Sequence, residues 1–238
     1  MSTTLLERIP ATAQDILSLN FDGSKLLIQF LNRWEAYAEV LACLDYLSAD
    51  LVTWQDERAR ALAGLGRTAE AVSIMRARLA KKESATARNI LTAICLQAGL
   101  ADETWALIEP QLNEAVGAPW SRAGEVALLK GDLDTAERHF LHHQQIAPSS
   151  RDPAVGLAHV YQRRGDIVTA VAYAVRAIAP EGLYPPSVEH LKRLRDFFAA
   201  VRDENHLADV QAELIRRFDE ELQHVRGLFA VGGAAAEV

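Results

Sequence analysis

This 238-residue sequence has only two cysteines, Cys43 and Cys95, and they lack the close spacing of a metal knuckle or redox motif. Each lies inside an apolar helical pattern, where a thiol is expected to be a small buried hydrophobe. No run of 18 or more apolar residues occurs, so no membrane-spanning helix is expected. The opening stretch "MSTTLLERIPATAQDILSLN" has no basic segment followed by an apolar one, so a secretory leader is not expected and the expected address is the cytoplasm. Strand signals are weak, with little period-2 alternation and no Asn-Gly hairpin. Basic charge is scarce: Lys and Arg number 25 against 32 Asp and Glu, giving a net charge of −7. Without a basic stripe, the chain is not expected to bind nucleic acid.

Catalytic motifs are also missing. "GLGRTAEA" holds two glycines but no preceding strand and no Lys-Ser/Thr, so it is no phosphate loop. There is no G-x-S-x-G elbow. His139 and His143 stand at i and i+4, the spacing of a zinc pair, but "HFLHH" has no intervening Glu and no marked third ligand. Packing and solvation are the expected fates of these histidines. The carboxylates of "RDENHLAD" and "FDEEL" are expected on solvated ends and faces. No catalytic residue, metal or cofactor is therefore assigned.

The sequence does repeat itself. "GDLDTAERHF" at 131–140 and "GDIVTAVAYA" at 165–174 share a Gly-Asp opening, an apolar residue and Thr-Ala at one offset, 34 positions apart. Aligned on Gly66, Gly99, Gly131 and Gly165, four such turns are separated by 33, 32 and 34 residues. A small residue follows each at five places: Ala71, Thr104, Ala136 and Ala170. Apolar stripes at helical spacing flank each glycine. Glycine suits a left-handed turn, Asp132 (or Asp134) and Asp166 suit an N-cap, and Pro119 and Pro153 suit a first helical turn. Each unit therefore reads as helix, turn, helix.

This pattern resembles the tetratricopeptide repeat family. In 117–150, Trp120, Ala123, Gly124, Ala127, Gly131, Ala136, Phe140 and Pro148 fall on the family's slots. The unit 151–184 matches through Leu157, Ala158, Tyr161, Gly165, Ala170 and Ala177. Units 52–84 and 85–116 match more loosely, through Leu62, Gly66 and Ala71, and through Leu91, Gly99 and Thr104. The resemblance implies an all-α fold, an α-solenoid of antiparallel helix pairs wound as a right-handed superhelix. The array is expected over 19–225, in units of about 19–51, 52–84, 85–116, 117–150, 151–184 and 185–225. Residues 1–18 are expected to form an arm or cap and 226–238 a flexible tail.

By the same resemblance, the first helix of each pair lines a concave groove that holds a partner polypeptide as an extended peptide or a helix. The implied lining is Asp56 and Arg60; Asn89, Ala93 and Gln97; Ser121, Arg122, Glu125 and Leu129; Val155, His159, Gln162 and Arg163; then Glu189 and Arg193. Arg122 matches the arginine of the family's carboxylate clamp. Its companions Asp56, Arg60, Ile90 and Ala118 do not match, so an acidic C-terminal tail is not the expected ligand. The implied function is a non-catalytic scaffold or adaptor, in the manner of a chaperone or assembly factor. The alternative is self-association. The last helix carries an apolar stripe, Leu207, Val210, Leu214, Phe218, Leu222 and Val225, and any part left uncovered would make a homodimer contact. A third possibility is a regulatory subunit of an enzyme complex.

Overall fold

A computed structural model describes residues 13–47, 52–112, 116–179 and 185–234. Among these, all regular structure is helical. After a 3₁₀ turn at Ala13–Ser18 come α1 (Phe21–Arg33), α2 (Tyr37–Leu44), α3 (Val52–Gly64), α4 (Thr68–Lys81), α5 (Ala85–Gln97) and α6 (Ala101–Ile108). Then follow α7 (Ala118–Lys130), α8 (Leu133–Ile146), α9 (Asp152–Arg164), α10 (Ile167–Ile178), α11 (Val188–Val201) and α12 (Glu204–Ala234). Helix α6 is short because Pro110, which has no N–H to donate, turns the chain into a 3₁₀ segment, Glu109–Gln111. Residues 1–12 of the expected arm and the last four residues of the expected tail lie outside the described residues. Residues 226–234, read from sequence as part of that tail, continue α12.

One local conformation recurs at every helix turn of this kind. Gly66, Gly99, Gly131 and Gly165 have φ of +77°, +72°, +78° and +81°. Two non-glycine residues adopt the same conformation, Glu35 (φ 66°) and Arg202 (φ 59°). They mark a further hairpin turn at each end of the chain. Five of the six turns close with the same pair of hydrogen bonds. At Gly131, its own N–H donates to Leu128 O (3.0 Å) and that of Asp132 donates to Ala127 O (3.0 Å). The same two bonds recur at Glu35, Gly66, Gly165 and Arg202. Carbonyls left over at the end of one helix are thereby satisfied. The next residue then opens the following helix: Asp132, Asp166 and Asp203 accept from the N–H of Thr135 (3.0 Å), Thr169 (3.1 Å) and His206 (3.2 Å). This explains the repeated Gly-Asp phrase, and it gives Asp203 of "RDENHLAD" a capping role rather than a solvated one.

The chain divides into two compact units, Met1–Ala98 with Arg217–Val238, and Gly99–Arg216. In the first, each helix from α1 to α5 packs on the next, and α1 with α3 and α3 with α5 also lie side by side. In the second, α6 to α11 follow the same rule, with α7 beside α9 and α9 beside α11. Stacked hairpins of this kind bury each other's apolar faces. The centre of the second unit is Phe140 on α8, fully buried among Ala127, Leu128, Ala136, Leu157 and Val160. A Cβ placed on Gly124 of α7 or Gly156 of α9 would come within 2.7 or 2.2 Å of its ring. Two glycines on successive helices thus make the slot that this ring fills.

Most of the stripe on the last helix is covered. Val210, Leu214, Phe218, Leu222 and Val225 are all buried, and Leu207 is half-buried. Within the first unit, Phe218 meets Phe30 at 5.6 Å and Trp34 edge-on at 5.1 Å. Glu221 accepts from Arg33 Nη1 (2.9 Å) and Trp34 Nε1 (3.0 Å). Most of the apolar stripe that the self-association alternative required is therefore buried within its own chain.

Two outcomes test these packing rules. Gly131→Ala is expected to destabilise by about 1 kcal/mol, and Arg202→Gly to lose nothing or gain stability, in chemical denaturation. Gly156→Ala is expected to cost about 1–3 kcal/mol, because the Phe140 ring has no space to retreat.

Candidate functional site

In the second unit, α7, α9 and α11 bring a set of polar side chains together. Glu125 on α7 pairs with Arg193 on α11, Oε1 to Nη1 at 2.7 Å. Arg122, one turn before Glu125, is half-buried. Burial lowers its pKa below the usual arginine value, while the carboxylates of Glu125 and Asp152 oppose that shift. Asp152, at the start of α9, accepts from His190 Nε2 at 2.7 Å. That hydrogen bond is the main reason its carboxyl sits below the ordinary range, against the effect of burial.

The orientation of His190 follows from its helix start. Ser187 caps α11 by accepting from the N–H of His190 (3.2 Å), and Ser187 N–H donates back to His190 Nδ1 (3.2 Å). An accepting Nδ1 leaves the proton on Nε2, where it points at Asp152. The ring of His159 stands edge-on to Phe197 at 5.7 Å, with Nδ1 3.4 Å from Gln162 Oε1. Burial, followed by the nearby charge of Arg193, lowers its pKa.

The sequence-derived residues do not all lie together. Arg122, Glu125, His159 and Gln162 join this network, as does Arg193. Arg163 and Leu129 are exposed beside it, and Arg163 Nη1 donates to Leu128 O near the end of α7. Ser121 is only 6 % exposed and its hydroxyl is hydrogen-bonded to Nδ1 of His143 on α8, so it faces the neighbouring helix. In the first unit, Asp56 is ion-paired with Arg78 of α4, leaving 14 % of its side chain exposed. Burial raises its carboxyl pKa, with Arg78 pulling the other way. Arg60, Asn89 and Gln97 are exposed in that unit. Sequence reasoning missed Asp152 and His190. The available signal was a titratable residue in the first turn of α9 and of α11.

The histidine pair marked by spacing separates in space. His143 is 2 % exposed, bonded to Ser121, and fits where Gly117 has no side chain. His139 instead lies 5.5 Å from the Trp120 ring and 6.5 Å from that of Trp105. His142 meets Trp120 edge-on at 4.3 Å. Among the described residues, no group of three or more His, Cys, Asp or Glu is placed to hold a metal ion. No described helix is long and apolar enough to cross a membrane.

The hairpin stacking, the recurring left-handed turn and the paired small residues define a helical-repeat protein. Residues 57–77 match the family model of the tetratricopeptide repeat, within the loosely matching unit 52–84. The match covers one such hairpin of the stack. Among solved structures, it is similar to a MamA designated MSR-1, with 15% identity over 66% of this chain and 95% of that one, at a TM-score of 0.45. A MamA designated AMB-1 has 17% identity over 63% and 92%, at a TM-score of 0.46. MamA from Desulfovibrio magneticus RS-1 has 16% identity over 64% and 93%, at a TM-score of 0.43. No curated protein matches the sequence.

The histidines give the fold a pH dependence. For His139, His143 and His159 burial is the largest cause of a lowered pKa, so the folded state favours the neutral ring. The unfolded chain takes up these protons first, near pH 6.5. Their contribution is therefore complete above that pH and is lost as pH falls through it. The melting temperature is expected to fall between pH 7.5 and about 5.5, above the carboxylate range. The His143→Asn variant should show a smaller slope.

Proposed function

We propose that this chain is a non-catalytic interaction scaffold that holds a partner polypeptide against the face built by α7, α9 and α11. The supporting observation is the network Arg122, Glu125, Asp152, His159, His190 and Arg193. Three consecutive first helices of the repeat contribute to it, and several of its groups are partly desolvated. Such a surface offers hydrogen bonds and charge from fixed positions, the requirement for orienting a backbone and its side chains. Its ionisable groups are spent largely on one another, in opposite-sign pairs. That arrangement suits recognition of a mixed polar and apolar segment better than binding of a highly charged tail. A net charge of −7 disfavours a polyanionic partner such as nucleic acid. A role as chaperone or assembly factor in the cytoplasm belongs to the same proposal. Self-association through the last helix does not, because that helix's apolar stripe is already buried.

The test is quantitative capture of binding partners from native lysate by the wild-type chain and by Arg122→Ala and Gln162→Ala. Each variant is expected to lose most of the captured partner while its helical melting curve stays close to wild type. Undiminished capture by both variants would overturn the assignment of this face.

A further inference from the structure

The face formed by α7, α9 and α11 is spanned by its own side chains. Glu125 and Arg193 stand on helices that are not neighbours in the stack, since α9 packs against both. Yet their charged ends meet at 2.7 Å. Fully extended, a Glu and an Arg in contact reach only about 15 Å between α-carbons. Three helices laid flat, each about 8–10 Å from the next, would put the outer axes roughly 16–20 Å apart. Each α-carbon stands about 2.3 Å off its helix axis, so the two residues can just meet across α9 when they face each other. Arg193 also lies within electrostatic reach of Asp152 and His159, two turns apart on α9. The bridge thus passes over α9 near these residues. A partner helix, about 10–12 Å across with its side chains, has no room beneath it.

We infer that the Glu125–Arg193 bridge is an intramolecular latch that closes this face, and that a helix-sized partner segment enters only when the latch opens. This rests on the proposed function, whose site it regulates. The latch is suited to opening. Its side chains are 25 % and 37 % exposed, and ion pairs so placed contribute little to stability. Arg193 has a second carboxylate nearby in Asp152, so release from Glu125 need not strand a buried charge. The latch is also sensitive to salt, which screens a partly exposed pair.

The test requires no identified partner. A cysteine at position 162 (Gln162→Cys), one turn beyond His159, reports access to the face, and one at Val168→Cys, 84% exposed, supplies the reference rate. Cys43 and Cys95 are buried, so background labelling is low. The probes are N-ethylmaleimide and a bulky polyethylene-glycol maleimide. At position 162 the bulky reagent is expected to lag the small one relative to position 168. Adding Glu125→Gln, or separately Arg193→Gln, should speed bulky labelling at 162 by about threefold, the size of effect such a pair supports. Position 168 should not respond. Equal rates at 162 with and without Glu125→Gln would overturn the latch. That outcome is separate from the capture experiment: loss of capture in Arg122→Ala without a latch effect leaves the proposed function standing. Undiminished capture there removes the latch's role in partner entry.

Discussion

A left-handed residue between two helices is the constraint on which the rest of this structure depends. It lets the N–H groups at the end of one helix fold back onto carbonyls that have no helical partner. The chain reverses within a few residues, and the next helix starts from a side chain that caps it. The outcome is a hairpin of fixed geometry, and fixed hairpins stack. Where the residue is glycine, the conformation is free of Cβ strain. Glu35 and Arg202 adopt it with a Cβ present, at a penalty that the packing around them must offset.

Stacking then depends on small residues at close approaches. Phe140 fills its slot only because Gly124 and Gly156 lack side chains, and Ala136 keeps its own helix near α7. The large residue and the two glycines lie on three successive helices, so this contact joins one repeat to the next as well as the two helices within a repeat. The seam between Phe218 and the pair Phe30 and Trp34 does the equivalent work in the first unit. There a helix from the end of the sequence covers an apolar face near its beginning.

The polar face on α7, α9 and α11 follows from the same geometry. First helices of consecutive hairpins lie side by side, so residues one period apart become neighbours. His190 and Asp152 are 38 positions apart in sequence and 2.7 Å apart in space. Charges that an isolated helix would leave in water are thus drawn into pairs that span the stack. Partial burial gives those pairs direction, and exposure at their edges keeps them exchangeable.

The sequence alone determined the repeat and its turns, because glycine at a left-handed position and an apolar stripe at helical spacing are local requirements. Asp132 and Asp166 were legible as caps for the same reason; Arg122, Glu125, His159 and Gln162 were grouped only through the slots of the family that the repeat resembles. The sequence did not reveal the left-handed conformation at Glu35 and Arg202, since nothing about those residue types announces it. Only the tertiary structure decided that Ser121 turns toward His143, that Asp56 is taken by Arg78, and that the last helix's stripe is covered. Each of these depends on which side chain arrives from a distant part of the chain. Distance in sequence carries no record of that until the helices have packed.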